Sequence, residues 1–106
     1  MRVFALSNCD SCRKALSDLR AAGHQPEVTD LRALPPHDLA LIVAAFGDRA
    51  VNRASTTWRA LDETTRALPP LALLAAHPTA IKRPVIEHQG TWHQGWTPAV
   101  RAALGV

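Results

Sequence analysis

Residues 2–31 read as strand, helix, strand, and that order leaves few folds open. Arg2-Val3-Phe4-Ala5-Leu6 is a short run with β-branched and aromatic character, ended by Ser7-Asn8, and reads as a buried strand. Cys12, Ala15, Leu16 and Leu19 then recur at i, i+3, i+4 and i+7, with Gly23 where a helix commonly stops, so the spacing predicts a helix from about Asp10 to Ala22. Pro26 to Leu31 alternates polar and apolar over the length of a second strand. A strand, a helix and a strand in succession make a right-handed crossover between parallel strands. The loop after the first strand therefore sits at the carboxyl end of the sheet, where open α/β sheets bind ligands.

That loop leads into Asn8-Cys9-Asp10-Ser11-Cys12-Arg13-Lys14, which contains both cysteines of the chain. The first turn of a helix carries backbone N–H groups with no intrahelical partner and the positive end of the macrodipole, so a sulfur there is held more easily as thiolate. Arg13 and Lys14 add positive charge on the same turn. Cys9 falls at or just before the N-cap and Cys12 three residues on, which lets the two sulfurs face each other across one turn. Cysteines in such settings have pKa values of about 3.5 to 7.5, and the thiolate is the nucleophile. Cys9, off the apolar stripe that includes Cys12, is the expected nucleophile. Two other readings fit the motif alone: a buried inert pair, or half of a zinc site completed by His88 and His93. An inert pair belongs on a hydrophobic stripe rather than beside Asp, Ser, Arg and Lys. The two histidines lie far outside the usual finger separation, and no metal is assigned.

Beyond the second strand, Pro35-Pro36 opens a helix whose stripe is Leu39, Ile42, Val43 and Phe46, closed by Gly47. Residues 52–59 show no clear period. Leu61-Asp62-Glu63 leads into a short helix broken by Pro69-Pro70, and Leu71–His77 forms another. Val85–His88 and Thr91–Gln94 flank Gln89-Gly90, the signature of a two-residue hairpin that sets His88 opposite Thr91, Ile86 opposite His93 and Glu87 opposite Trp92. Thr97-Pro98 opens a last helix with Val100, Ala103 and Leu104 on one face. The order is βα, βααα, ββα: an α/β fold with a four-stranded mixed sheet, made of a parallel βαβ unit, a C-terminal hairpin and a helix. A helical insertion, about residues 36–80, separates strands two and three within one domain spanning 1–106.

A chain of 106 residues is one domain by size, and 47% hydrophobic with 20% charged residues excludes a disordered chain. The net charge of +3 comes from ten arginines and two lysines, scattered rather than clustered, which argues against a nucleic-acid binder. No apolar run approaches the roughly 20 residues that span a bilayer, and no signal-type segment opens the chain, so the expected place is the cytoplasm, with no membrane partner. In a reducing compartment a lone cysteine pair is catalytic or sensing rather than a staple.

Cys9-Asp10-Ser11-Cys12-Arg13-Lys14-Ala15, Asn52-Arg53-Ala54-Ser55-Thr56-Thr57-Trp58-Arg59, His77-Pro78 and Ile81-Lys82-Arg83-Pro84-Val85, in that order, resemble the arsenate reductase (ArsC) and Spx family, and within it the small YffB-like branch. The resemblance covers essentially the whole chain and implies a thioredoxin-like fold. It puts Cys9 on the catalytic cysteine of the glutaredoxin-linked arsenate reductases and Arg53 and Arg83 on their first two oxyanion-binding arginines. It also implies a cis bond at Pro84, which sets Arg83 and the strand edge toward Cys9. Asn8, Arg13 and Pro84 join Arg53 and Arg83 as the expected substrate- and anion-binding set. Two departures stand out: Trp96 lies where the reductases carry a third anion-binding arginine, and Cys12 replaces a serine. The first removes an oxyanion donor, and the second supplies a resolving thiol.

The resulting expectation is a cytosolic thiol oxidoreductase with no bound cofactor. Its Cys9 thiolate attacks a protein disulfide or glutathione mixed disulfide, and Cys12 or glutathione, as co-substrate, resolves the adduct. Glutaredoxin is a candidate recycling partner. The alternative is an Spx-like redox-sensing regulator that docks on RNA polymerase, with the dithiol as its switch. Arsenate reduction ranks third.

Overall fold

The computed structural model describes all 106 residues, Met1–Val106. Strand β1 (Arg2–Ala5) is followed by helix α1 (Asp10–Ala21) and strand β2 (Glu27–Asp30), which runs parallel to β1 from the pair Arg2↔Glu27 to the pair Ala5↔Asp30. Late in the chain, β3 (Val85–His88) pairs antiparallel with the other edge of β1, and β4 (Thr91–Gln94) pairs antiparallel with β3. The sheet order is β2-β1-β3-β4. This is the thioredoxin-like arrangement that the family resemblance implies, built on the βαβ opening and the C-terminal hairpin. The hairpin has the expected register, His88↔Thr91, Ile86↔His93 and Glu87↔Trp92. Its two turn residues, Gln89 and Gly90, both have positive φ, 51° and 80°, as a two-residue turn matching the strand twist requires.

The chain divides into two compact units, one formed by Met1–Leu31 with Arg83–Val106 and the other by Arg32–Lys82. In the first, β1 is central and its apolar side chains are covered: Val3 and Phe4 are fully buried. Val3, Ala5, Cys12, Leu19, Ile86 and Leu104 form one core cluster, which joins β1, the inner stripe of α1, β3 and the end of α6 (Pro98–Ala103). Thr97 caps α6 by accepting the Val100 N–H at 3.2 Å. The strand β2 departs from the half-buried alternation expected of it, since Val28 is 44% exposed. It is an edge strand with one partner, so its side chains gain little cover.

The second unit holds α2 (Pro36–Phe46), α3 (Thr56–Arg59), α4 (Glu63–Arg66) and α5 (Pro70–Ala76), with α2 packed on α5. Leu39, Ile42, Leu73 and Leu74 are buried in it, as the apolar stripes of α2 and α5 require. Its last residues are fastened to its middle by an antiparallel bridge, Val51↔Ile81, with Asn52 N–H on the Ala80 carbonyl and Lys82 N–H on the Ala50 carbonyl, each at 2.8 Å. One helix more is present than the periodicity shows. The short α3 arises because Ser55 caps it, accepting the Trp58 N–H at 3.1 Å, and four residues are too few to display a period. No helix is long and apolar enough to cross a membrane.

Candidate active site

The first sheet unit delivers both cysteines to the carboxyl end of β1. After Ala5 the chain turns through Leu6, Ser7 and Asn8, and the Cys9 N–H returns to the Leu6 carbonyl at 3.3 Å. Cys9 is the N-cap of α1, with extended φ and ψ of −105° and 120°, and its Sγ accepts the Cys12 N–H at 3.4 Å. A thiol thus does what a Ser or Asp side chain does at other helix starts, and a thiolate does it better because the bond becomes charge-assisted. Cys9 is half-buried and Cys12 fully buried. Both are reduced.

Environment separates the two thiols. Burial raises the Cys9 pKa, but the hydrogen bonds it receives from the Cys12 side chain and backbone, together with the hydrogen bond and charge of Arg83, more than offset this, and the net shift is downward from 9.0. Cys12 is pushed up to about 12, first by burial, then by its hydrogen bond to Cys9 and by the Cys9 charge. A backbone hydrogen bond with Leu6 and the charge of Arg83 act the other way on Cys12. Near neutral pH the pair is poised as one thiolate-prone sulfur beside one protonated donor.

Arg83 reaches Cys9 because it precedes β3, whose pairing with β1 ends at Phe4↔Val85, one step from the cysteine turn. The Arg83-Pro84 bond is cis, Pro84 is fully buried, and its carbonyl accepts the Gly95 N–H at 2.8 Å. Arg83 is thus brought up to Cys9, with Pro84 beside it in the chain.

The remaining expected residues are placed differently. Arg13 donates to the Ser7 carbonyl at 3.3 Å and forms an ion pair with Asp10, and Lys14 pairs with Asp18 at 2.9 Å. The basic pair on the first turn is therefore turned to carboxylates, and the cation acting on the sulfurs is Arg83. Asn8 lies exposed in the turn between β1 and α1. Arg53 belongs to the second unit, where its guanidinium lies 5.2 Å from the centre of the Trp58 ring. His24 and His88 meet edge to face at 5.6 Å, while His93 faces Ile86. No group of three or more His, Cys, Asp or Glu side chains is placed to hold a metal ion.

Two features escaped sequence reasoning. Asp18 is a polar hub for the unit, taking Lys14 and the indole N–H of Trp96; the Lys14-to-Asp18 spacing of four was a visible signal, the tryptophan was not. A groove of about 290 Å³ also runs along the carboxyl ends of β1 and β2, lined by Leu6, Ser7, Arg13, Leu16, Val28 and Asp30. Its lining is mainly apolar.

Comparison with known proteins places this arrangement among relatives. The ArsC family model matches residues 4–103. An uncharacterized protein from Haemophilus influenzae is 38% identical over 95 residues, 83% of each chain. Among solved structures, a YffB protein is 32% identical with a TM-score of 0.87, covering 97% of this chain and 96% of its own. The solution structure of an arsenate reductase (ArsC) related protein from Brucella melitensis is 28% identical with a TM-score of 0.74, covering 99% and 94%.

Proposed function

The chain belongs to the ArsC family, and on that footing we propose that it is a glutathione-dependent thiol oxidoreductase whose nucleophile is Cys9. The observation that carries this reading is the N-cap sulfur: Cys9 Sγ takes the Cys12 N–H at 3.4 Å and the Arg83 guanidinium, two donors that strengthen when the sulfur is charged. The thiolate attacks a disulfide, forming a Cys9 mixed disulfide and releasing one thiolate. Glutathione or Cys12 then breaks the adduct. A carboxylate of the thiol substrate takes a forked contact from Arg83, and the groove beside Ser7 and Leu16 receives the substrate's apolar part.

Turnover of hydroxyethyl disulfide with glutathione, run in parallel with arsenate, tests the assignment. The disulfide should be reduced, and Cys9→Ser should fall to the background of uncatalysed exchange. Arsenate turnover without disulfide turnover would assign the site to oxyanion reduction instead.

A further inference from the structure

Helix α1 meets the site at two places along its length. Cys9 caps its N-terminus, and Asp18, about two and a half turns further along the axis, accepts the indole N–H of Trp96 at 3.0 Å. Trp96 follows Gly95, whose own N–H binds the Pro84 carbonyl at 2.8 Å. Gly95 has a positive φ of 78°, a bend that a residue without Cβ adopts without strain, and on either side of that bend the chain meets Pro84 and Asp18. Arg83 comes next, across the cis bond from Pro84, just before the strand whose pairing with β1 ends at Phe4↔Val85. Asp18, Trp96, Gly95, Pro84 and Arg83 thus make a continuous chain of hydrogen bonds and covalent neighbours that starts on α1 and ends beside the residue at its N-cap. All of it lies within one compact unit. Trp96 is also packed, partly buried, on the cluster that holds Cys12, Leu19 and Leu104. Packing keeps the ring against the core, and the hydrogen bond fixes its place along α1.

We propose that Trp96 is a positioning residue: its hydrogen bond to Asp18 ties the Gly95-Pro84 corner to α1, sets where the Arg83 guanidinium stands relative to the Cys9 sulfur, and so determines the preference for disulfides that carry a carboxylate. The proposal rests on the carboxylate contact that the proposed function gives to Arg83. The tether needs an acceptor at position 18, not a charge. An Asn side chain keeps a carbonyl oxygen for the indole N–H, whereas Phe at position 96 keeps an aromatic ring and has no donor. Asp18→Asn gives up the charge that Lys14 and Arg101 face, so it separates the ion pairs from the tether.

Two disulfides isolate the effect. In 5,5′-dithiobis(2-nitrobenzoate) each ring bears a carboxylate, and in 2,2′-dithiodipyridine neither does. The Cys9 thiolate attacks either one, a mixed disulfide forms, and the other half leaves as a coloured thiolate or thione. A changed thiolate fraction alters both rates alike and cancels in their ratio, while the carboxylate contact affects the first reagent only. Arg83→Gln should lower the ratio about tenfold, the low end of the loss for a charge-assisted hydrogen bond. Trp96→Phe and Asp18→Ala should each lower it about threefold, half of that loss on a logarithmic scale, and neither should lower it further once Arg83 is Gln. Asp18→Asn should keep the wild-type ratio or exceed it. Loss of a negative charge by itself favours the anionic reagent, so a fall in Asp18→Ala reports the tether. A role confined to stability would lower the melting temperature and leave the ratio alone. A wild-type ratio in both Trp96→Phe and Asp18→Ala, beside a lowered one in Arg83→Gln, overturns the proposal, and so does an Asp18→Asn ratio as low as that of Asp18→Ala. An unchanged ratio in Arg83→Gln instead removes the carboxylate contact of the proposed function, and this proposal with it.

Discussion

Trp96 and Asp18, 78 residues apart in the chain, are joined by a hydrogen bond from the indole Nε1 to the carboxylate Oδ2 at 3.0 Å. The same carboxylate takes Lys14 Nζ at 2.9 Å and has Arg101 at 3.9 Å, so one side chain of α1 ties down the segment after β4 and the last helix. Gly95, the residue before Trp96, donates to the Pro84 carbonyl. Asp18 thereby fastens, through a single intervening residue, the segment that abuts the Arg83-Pro84 corner of the site.

This hub gives the fold an acid limit. Hydrogen bonds from Lys14 and then Trp96 hold the Asp18 carboxyl below its usual value of 3.8. Because the folded pKa is the lower one, the stabilisation is fully present above pH 3.8 and is lost as pH falls below it. Asp18→Asn should melt at a lower temperature than the wild type at pH 7, and the difference should shrink at pH 3. Thermal melts of both proteins across that range measure it; an unchanging difference would mean the hub acts by shape alone.

Cys12 sets the corresponding alkaline limit. Its folded pKa of about 12 lies above the ordinary thiol value of 9.0, so the unfolded chain loses the proton first. Its contribution to stability is fully present below pH 9.0 and disappears as pH rises toward 12. Chemical denaturation of the reduced protein between pH 8 and 11 should therefore show stability falling with pH. Cys12→Ser, with nothing to titrate in this range, should show a flatter profile even if it is less stable throughout.

The parallel βαβ unit, the hairpin register and the N-cap place of Cys9 were legible in the sequence because they follow from local periods and turn chemistry: alternation in β3 and β4, Gln89-Gly90 between them, and a stripe that includes Cys12 but not Cys9. What failed was the assignment of charge. Arg13 and Lys14 look like thiolate partners when read by adjacency, but residues three and four apart share a helix face, and Asp10 and Asp18 stand at those spacings. The cation that does act on the sulfurs, Arg83, is 74 positions from Cys9, and only the antiparallel pairing of β3 with β1 brings it near. Exposure of Val28 was hidden for a related reason, since alternation tells which face a residue takes but not whether a strand is at the edge.

Phe4 anchors the central strand of the sheet, between Thr29 of β2 and Val85 of β3. It is fully buried, stacks with Trp92 at 5.9 Å between ring centres, and carries the Arg2 guanidinium 4.9 Å from its own centre. Phe4→Ala should cost about 3–5 kcal/mol, the usual range for emptying an aromatic site in a core. Urea unfolding followed by tryptophan fluorescence gives the value. A loss under about 1 kcal/mol would show that the site collapses around the missing ring.

Arg53 lies in a turn whose geometry is fixed independently of its side chain. Asn52 Oδ1 accepts the Ala54 N–H at 3.0 Å, Ser55 Oγ donates to the Asn52 carbonyl at 2.7 Å, and Ser55 then caps α3. Arg53 itself is exposed and makes its ring contact with Trp58, which Arg66 also approaches, at 5.4 Å. Loss of an exposed contact of this kind is worth about 0.5–1 kcal/mol, so Arg53→Gln should lower the melting temperature only slightly. An arginine that binds a substrate carboxylate would reveal itself elsewhere: removing it weakens ground-state and transition-state binding alike, which raises KM and leaves kcat unchanged. The proposed function gives that carboxylate to Arg83, so steady-state kinetics with glutathione and hydroxyethyl disulfide on Arg53→Gln should leave KM and kcat unmoved while the small loss of stability is present, with Arg53 serving only to brace Trp58. A raised KM at unchanged kcat would overturn this.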